Sequence, residues 1–359
     1  MRSGKSIAKA VSSFTFGKDC YLMEQNQLAL LKHRLPPERK TWLVTGGAGF
    51  IGSHLVEALL QLGQKVIILD NFSSGKPANI DDAVRNADED TRGLLRIMEG
   101  DIADPAVCFR AMEGVDYVLH QAALASVPAS LEDPVAFDRT NVGGTLRIFE
   151  AARQEGITRV VFASSSAVYG DDCHLPKVEE HIGIPLSPYA ASKAITETWA
   201  ETYATCYGMD FFALRYFNVY GPRQDPNGAY AAVIPQWMNT VKENKRVYIN
   251  GDGSTTRDFI YIDDIVTTNL LAATAPSNEG VTRLNVAGGK RTSLIELFET
   301  IRSVFRESDP SLEIADAIHR DFRTGDIRHS TADLSRLESA LEFRPGTALR
   351  DGLRRILPR

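Results

Sequence analysis

The chain has 359 residues, 43% of them hydrophobic, which is enough to bury a large core as one big α/β unit or as two closely joined domains. A formal net charge of −6 and a pI near 5.7 leave no basic footprint for nucleic acid or an anionic membrane surface, so an anionic ligand must be met by a few local arginines. Four widely separated cysteines, Cys20, Cys108, Cys173 and Cys206, form no Cys-x-x-Cys pair and no His/Cys cluster, so neither disulfide nor metal is expected and a reducing cytoplasm is the expected location.

Residues 1–40 read as a leader followed by a helix. The first sixteen carry three basic residues and only the short apolar run Ile7 to Val11, too short for a secretion signal or a membrane span. A helix is expected over residues 22–32, and Pro36-Pro37 punctuates the chain before the first strand. From Thr41 onward short β-rich apolar runs alternate with helical patterns. Residues 42–45, 65–69, 95–98, 117–120, 159–164 and 211–215 read as buried strands, and residues 51–62, 134–154 and 189–206 as helices. That alternation predicts an α/β fold, a doubly wound parallel sheet of the Rossmann type, over residues 41–216. The exposed-looking acidic run 88–90 reads as a solvated loop. Beyond Tyr216 a smaller α/β part over residues 217–359 is expected, with helices near 233–241, 264–273 and 294–305 and a hairpin-like stretch at 248–260. A later strand near 281–287 returns to the main sheet.

The first strand runs directly into Gly46-Gly-Ala-Gly-Phe-Ile-Gly52 and then a helix. Glycines at 46, 49 and 52 let the turn close, let backbone approach a pyrophosphate and let the helix pack against the strand, with the helix N-terminus facing the phosphates. The next strand ends at Asp70, eighteen positions after Gly52, where a carboxylate receives the adenosine ribose hydroxyls. Asn71 and Phe72 follow rather than an arginine, so NAD is favoured over NADP. The expected cofactor contacts are Gly46, Gly49, Phe50, Ile51, Gly52, Asp70, Asn71, Asp101, Ile102, Gln121, Ala122, Ala123 and Asn141, with Tyr189 and Lys193 at the far end.

Tyr189 and Lys193 stand four residues apart at the start of a helical segment and project from one face. A phenol is a poor base at neutral pH, but a nearby ammonium and the positive charge of an oxidised nicotinamide both favour phenolate. Ser164-Ser165-Ser166 ends the fifth strand, where a hydroxyl can reach the same substrate oxygen.

Six motifs in order, Thr45-Gly-Gly-Ala-Gly-Phe-Ile-Gly52, His120-Gln-Ala-Ala123, Ser164-Ser-Ser-Ala-Val-Tyr-Gly170, Tyr189-Ala-Ala-Ser-Lys193, Arg215-Tyr-Phe-Asn-Val-Tyr-Gly-Pro222 and Arg257-Asp-Phe-Ile-Tyr-Ile-Asp-Asp264, resemble the extended short-chain dehydrogenase/reductases, specifically the nucleotide-sugar 4-epimerases. The resemblance runs from about Thr41 to the C-terminus. It implies that Tyr189 takes the proton of the sugar 4-OH while hydride passes from C4 to NAD, that Ser165 hydrogen-bonds the same oxygen, and that Lys193 holds the cofactor ribose. A 4-keto sugar then turns in the pocket and is reduced on its other face. The related 4,6-dehydratases carry an Asp-Glu pair after the catalytic hydroxyl; Ser166 and Ala167 stand there, which disfavours dehydration.

The resemblance further implies substrate contacts at Ser126, Ser165, Ser166, Tyr189, Asn218, Arg257, Arg323 and Ser330, with the two arginines on a UDP diphosphate. Ser330 falls where 4-epimerases restricted to unsubstituted hexoses have a bulky tyrosine, which makes UDP-GlcNAc and UDP-GalNAc the expected pair. UDP-uronic acids and a broad range of UDP-hexoses are the rival substrates within the class, and a non-catalytic NAD-binding regulator is the rival outside it. A homodimer is expected through the segments 134–154 and 189–206, with Leu146, Ile148, Phe149, Ile195 and Trp199 lining it.

Overall fold

The computed structural model describes residue 23 and residues 25–226, 231–277, 279–322 and 328–357. Seven parallel strands form the main sheet: β1 (Thr41–Thr45), β2 (Lys65–Asp70), β3 (Leu95–Glu99), β4 (Tyr117–His120), β5 (Arg159–Ser165), β6 (Asp210–Tyr216) and β7 (Val281–Val286). Their order across the sheet is β7-β6-β5-β4-β1-β2-β3. The central strands are buried on both faces, β6 at every position, which is why they read as continuous apolar runs. The order reverses between β1 and β4, and a crevice opens beyond the carboxyl ends of strands at such a point.

Helices cover both faces: α1 (Gln25–Arg34), α2 (Phe50–Gln61), α3 (Pro105–Met112), α4 (Thr145–Gln154), α5 (Pro188–Tyr207), α6 (Val233–Lys242), α7 (Ile262–Thr274) and α8 (Leu294–Ser308). One apolar cluster joins α2, α7 and β1 to α6 and α8, so the main sheet and the later elements share a core. A second cluster, with Phe149, Phe162, Phe211 and Tyr203, fills the other face under α4 and α5. α1 packs on α7 through Leu31, which is fully buried, and its Gln27 donates to Asp264 at 2.6 Å.

Four expectations change. β3, expected among the buried strands, has no buried position, because it forms the edge of the sheet. Residues 134–154 are not one helix: a short helix Pro134–Phe137 passes into a π-helix, Asp138–Gly144, before α4 begins. Ile148 and Phe149, expected on a dimer face, have no exposed surface and pack in the core beneath the sheet, because amphipathic spacing locates a buried face without saying what covers it. The stretch 248–260 is not a hairpin. Tyr248–Asn250 pairs in parallel with Ile318–Arg320, Thr256–Arg257 pairs antiparallel with Thr292–Ser293, and Phe259–Tyr261 pairs in parallel with Asn218–Tyr220. Alternation marks a strand, while its partner is chosen by long-range packing. No helix among the described residues is long and apolar enough to cross a membrane.

Candidate active site

The turn after β1 is built on glycine because nothing larger fits. Gly46 has φ +69°, and a Cβ there would stand 2.8 Å from the amide nitrogen of Ala122, in the loop after β4. A Cβ on Gly52 would lie 2.1 Å from the Gly46 carbonyl oxygen, so α2 packs against the turn at a distance that only hydrogen permits. Gly49 precedes α2 with no side-chain cap, which leaves the first amides of the helix directed at the cleft where a pyrophosphate would be held. Asp70 closes the far side. Its two oxygens accept from the amides of Ala48 and Phe72, both at 2.8 Å, tying the β2 end to the turn.

A cleft of about 420 Å³ extends from this turn. Gly46, Gly49, Phe50, Ile51, Gly52, Asp70, Asn71, Asp101, Ile102, Gln121, Ala122 and Ala123 line it, and Ser165, Tyr189 and Lys193 line its other end. The cleft therefore brings the sequence-marked glycine turn and the Tyr-x-x-x-Lys pair into one space. Asn141 is absent from its wall. That side chain is buried, donating to the Leu124 carbonyl and to Ser192, both at 3.0 Å, and accepting from the Leu124 amide at 2.8 Å. Thr140 lines the cleft instead. Both residues lie in the π-helix Asp138–Gly144.

Tyr189 lies in the first turn of α5, which opens on a Ser187 cap and Pro188. Aligned peptide dipoles at that end favour an anion, and hence a phenolate. Ser165 beside the phenol lowers its pKa, but burial outweighs this and pushes Tyr189 above the ordinary phenol value. Lys193 does not supply the lowering expected from sequence: its Nζ donates to the Ala163 carbonyl at 2.8 Å, and burial pushes its own pKa down to about 8. The phenol must therefore be activated by the helix end, Ser165 and the charge of an oxidised cofactor. His120, at the β4 end, is held neutral, its pKa pushed to about 3 by burial and by the nearby Lys193 charge, and it bridges Thr45 at 2.6 Å and Thr145 at 2.9 Å.

A second cleft of about 480 Å³ lies beyond the first, and Val219 lines both. Asn218 and Arg257 line it with Tyr248, Asn250, Trp237 and Phe259, a mixture of aromatic faces, amides and one guanidinium suited to a nucleoside diphosphate. Asn218 also donates to the Asp258 carbonyl at 2.9 Å, which ties it to the strand carrying Arg257. Ser330 is half-buried beside that strand, its amide donating to the Thr256 carbonyl at 3.2 Å, and it lines neither cleft. Ser126 caps the helix Val127–Glu132 by accepting from Ala129, and Ser166 begins the 3-10 turn Ser166–Tyr169; neither lines a cleft. Arg323 lies outside the described residues.

Sequence reasoning gave no role to several residues that line the first cleft, among them Thr140, Tyr216, Phe217 and Gln224. Tyr216 and Phe217 stand inside a motif already singled out, so their position at a strand end carried the signal. Gln224 returns to the cleft only through the path of the loop after Gly221, which no local pattern encodes.

Residues 42–287 match the NAD dependent epimerase/dehydratase family. A putative UDP-glucose 4-epimerase of Methanocaldococcus jannaschii is 40% identical over 318 residues, 88% of this chain and 96% of that protein. The UDP-N-acetylglucosamine 4-epimerase of Methanobrevibacter ruminantium M1, solved in complex with UDP-N-acetylmuramic acid, is 41% identical with a TM-score of 0.80, covering 89% of this chain and 97% of that one. The UDP-glucose 4-epimerase of Thermotoga maritima, solved with UDP-glucose, is 36% identical with a TM-score of 0.79, covering 88% and 97%. With the glycine turn, the parallel sheet and the Tyr-x-x-x-Lys helix in one structure, this chain belongs to the NAD dependent epimerase/dehydratase family, among the extended short-chain dehydrogenase/reductase nucleotide-sugar epimerases.

Proposed function

We propose that this protein interconverts the C4 epimers of a UDP-sugar, with UDP-GlcNAc and UDP-GalNAc as its preferred pair. The observation that carries the reaction type is the position of Ser165, Tyr189 and Lys193 at one end of the cleft that begins at the glycine turn. NAD bound in this cleft would supply the hydride acceptor and donor for sugar C4. Tyr189 takes the 4-OH proton and gives it back. Ser165, in the same cleft as the phenol, steadies the same oxygen with its hydroxyl. Lys193, Asp70 and the α2 N-terminus hold the cofactor, and Asn218, Arg257 and Arg323 hold the UDP diphosphate, with the sugar directed toward Tyr189.

The choice of the acetylated sugar rests on the resemblance at Ser330, a small side chain beside the strand of Arg257 and outside the lining of both clefts, where hexose-restricted 4-epimerases have a bulky tyrosine. The name of the M. ruminantium relative supports the same choice. The test is Ser330→Tyr. Acetylated-sugar turnover should be abolished while NAD binding is spared; unchanged turnover of UDP-GlcNAc would remove Ser330 from the account of sugar choice. Turnover of UDP-glucuronate or UDP-glucose in preference to UDP-GlcNAc would replace the proposed sugar and leave the reaction type standing.

A further inference from the structure

Two successive residues of β5 each fasten one turn of α5, and a third faces it. The Ala163 carbonyl accepts from Lys193 Nζ at 2.8 Å, Ser164 Oγ donates to Glu197 Oε1 at 2.5 Å, and Ser165 lines the same cleft as Tyr189. The helix residues are spaced by four and so share one face. Lys193 is assigned to the reaction; Glu197 lines neither cleft.

Glu197 is 4% exposed and more heavily bonded than either neighbour. Arg215 of β6 grips it from two sides, Nε to Oε1 at 2.9 Å and an Nη to Oε2 at 2.7 Å, and Arg283 of β7 adds a third contact at 3.0 Å. Arg215 continues to the Tyr169 hydroxyl at 3.2 Å and the Glu179 carbonyl at 2.9 Å. Burial alone would push this carboxyl up, yet the arginines and Ser164 hold it below the usual range, so it is ionised. A buried ion pair is weak evidence for stability, because apolar packing would serve as well, but its geometry is exacting. Here the exacting geometry is between the reaction helix and three strands of the sheet.

We propose that Glu197 is a positioning residue: clamped by Ser164, Arg215 and Arg283, it sets the axial register of α5 on β5 and so delivers Tyr189 to Ser165 and Lys193 to Ala163. A helix advances 1.5 Å per residue, so a slip of one residue breaks both contacts. The inference deepens the epimerase reading and rests on it for its kinetic consequence, while its structural consequence can be measured separately.

The test compares parent, Ser164→Ala, Glu197→Gln and Glu201→Ala. Ser164→Ala removes the strand-to-Glu197 bond and leaves the Arg215 pair in place, so it remains informative if Glu197→Gln fails to fold. Glu201→Ala removes only the exposed arm of Arg283, whose Nη2 reaches Glu201 at 2.5 Å. Two readouts are taken: kcat and KM for the UDP-sugar, and the titration of the Tyr189 phenol, obtained by ultraviolet difference against the same background carrying Tyr189→Phe. Ser164→Ala and Glu197→Gln should lower kcat about tenfold or more with KM nearly unchanged, as loss of alignment does, and should displace the Tyr189 titration. Glu201→Ala should change neither. The proposal is overturned if Ser164→Ala leaves both readouts at parent values, if its effect falls on KM alone, or if Glu201→Ala matches it. Should the parent turn over no UDP-sugar, the functional reading fails on that result and the Tyr189 titration still decides the positioning role.

Discussion

Lys193 places a charge where the fold alone would not want one. Its side chain is 6% exposed, and burial takes its pKa from 10.5 to about 8. At about 1.4 kcal/mol per unit, holding the ammonium in the native protein costs about 3 kcal/mol at neutral pH. Lys193→Met removes the charge and keeps the length and apolar stem. It also strands the Ala163 carbonyl, which costs about 1 kcal/mol, so a net stabilisation of about 2 kcal/mol is expected for the cofactor-free protein. The sign with pH follows from the direction of the shift. Because the native pKa lies below the unfolded one, the penalty is complete below about pH 8 and relaxes as the native amine, then the unfolded amine, loses its proton. The advantage of the variant should shrink to below about 1 kcal/mol near pH 10. Urea unfolding of NAD-free protein at neutral and alkaline pH measures this, and turnover should be lost in the same variant, a trade of stability against function. A variant less stable than parent at neutral pH, or a gain that does not shrink on raising the pH, would refute the reasoning.

Tyr189→Phe should remove nearly all turnover while thermal stability and NAD binding persist, since the ring is kept and the proton acceptor is lost; a tenth of parent activity would be too much. Gly52→Ala should cost about 3 kcal/mol or more and abolish NAD binding, because its Cβ would meet the Gly46 carbonyl oxygen at 2.1 Å; thermal unfolding with and without NAD reads both effects. We expect a homodimer at micromolar concentration, resting on the α5 face with Ile195 and Trp199 and on the exposed Leu131 and Val135, which are 65% and 73% accessible on short helices packed beside α5. Sedimentation as a monomer would oppose it.

The main sheet is legible in the sequence because its central strands are apolar runs ended by loops with their own chemistry, from Gly46 after β1 to Asn218 after β6; edge strand β3, Leu95-Arg-Ile-Met-Glu99, has no buried position. Helix starts marked by proline, such as α3 at Pro105, carry a signal that the apolar runs overshadow. The C-terminal half is less legible: Tyr248–Asn250 finds its partner seventy residues on at Ile318–Arg320, and no local pattern encodes such a pairing. At the site, Tyr189, Lys193 and Ser165 are legible from type and spacing. Their electrostatics are not, since the direction of the Tyr189 shift depends on how completely the phenol is buried and on Lys193 bonding a carbonyl rather than the phenol. Glu197 escapes sequence reasoning because it is an ordinary polar residue until the sheet brings Arg215 and Arg283 beneath the helix, and Ser164, though legible as a hydroxyl at a strand end, shows its bond to Glu197 only in the structure.

The central claim is a C4 epimerisation in which the same hydrogen leaves and returns. It is tested most directly by incubating the purified protein with UDP-GlcNAc carrying deuterium at C4, with no added reductant or second substrate, and following the products by nuclear magnetic resonance. The account predicts UDP-GalNAc that retains the deuterium at C4, formed much faster than UDP-galactose is formed from UDP-glucose. An epimer whose C4 deuterium has been exchanged for solvent hydrogen, or no epimer from any UDP-sugar offered, would contradict it.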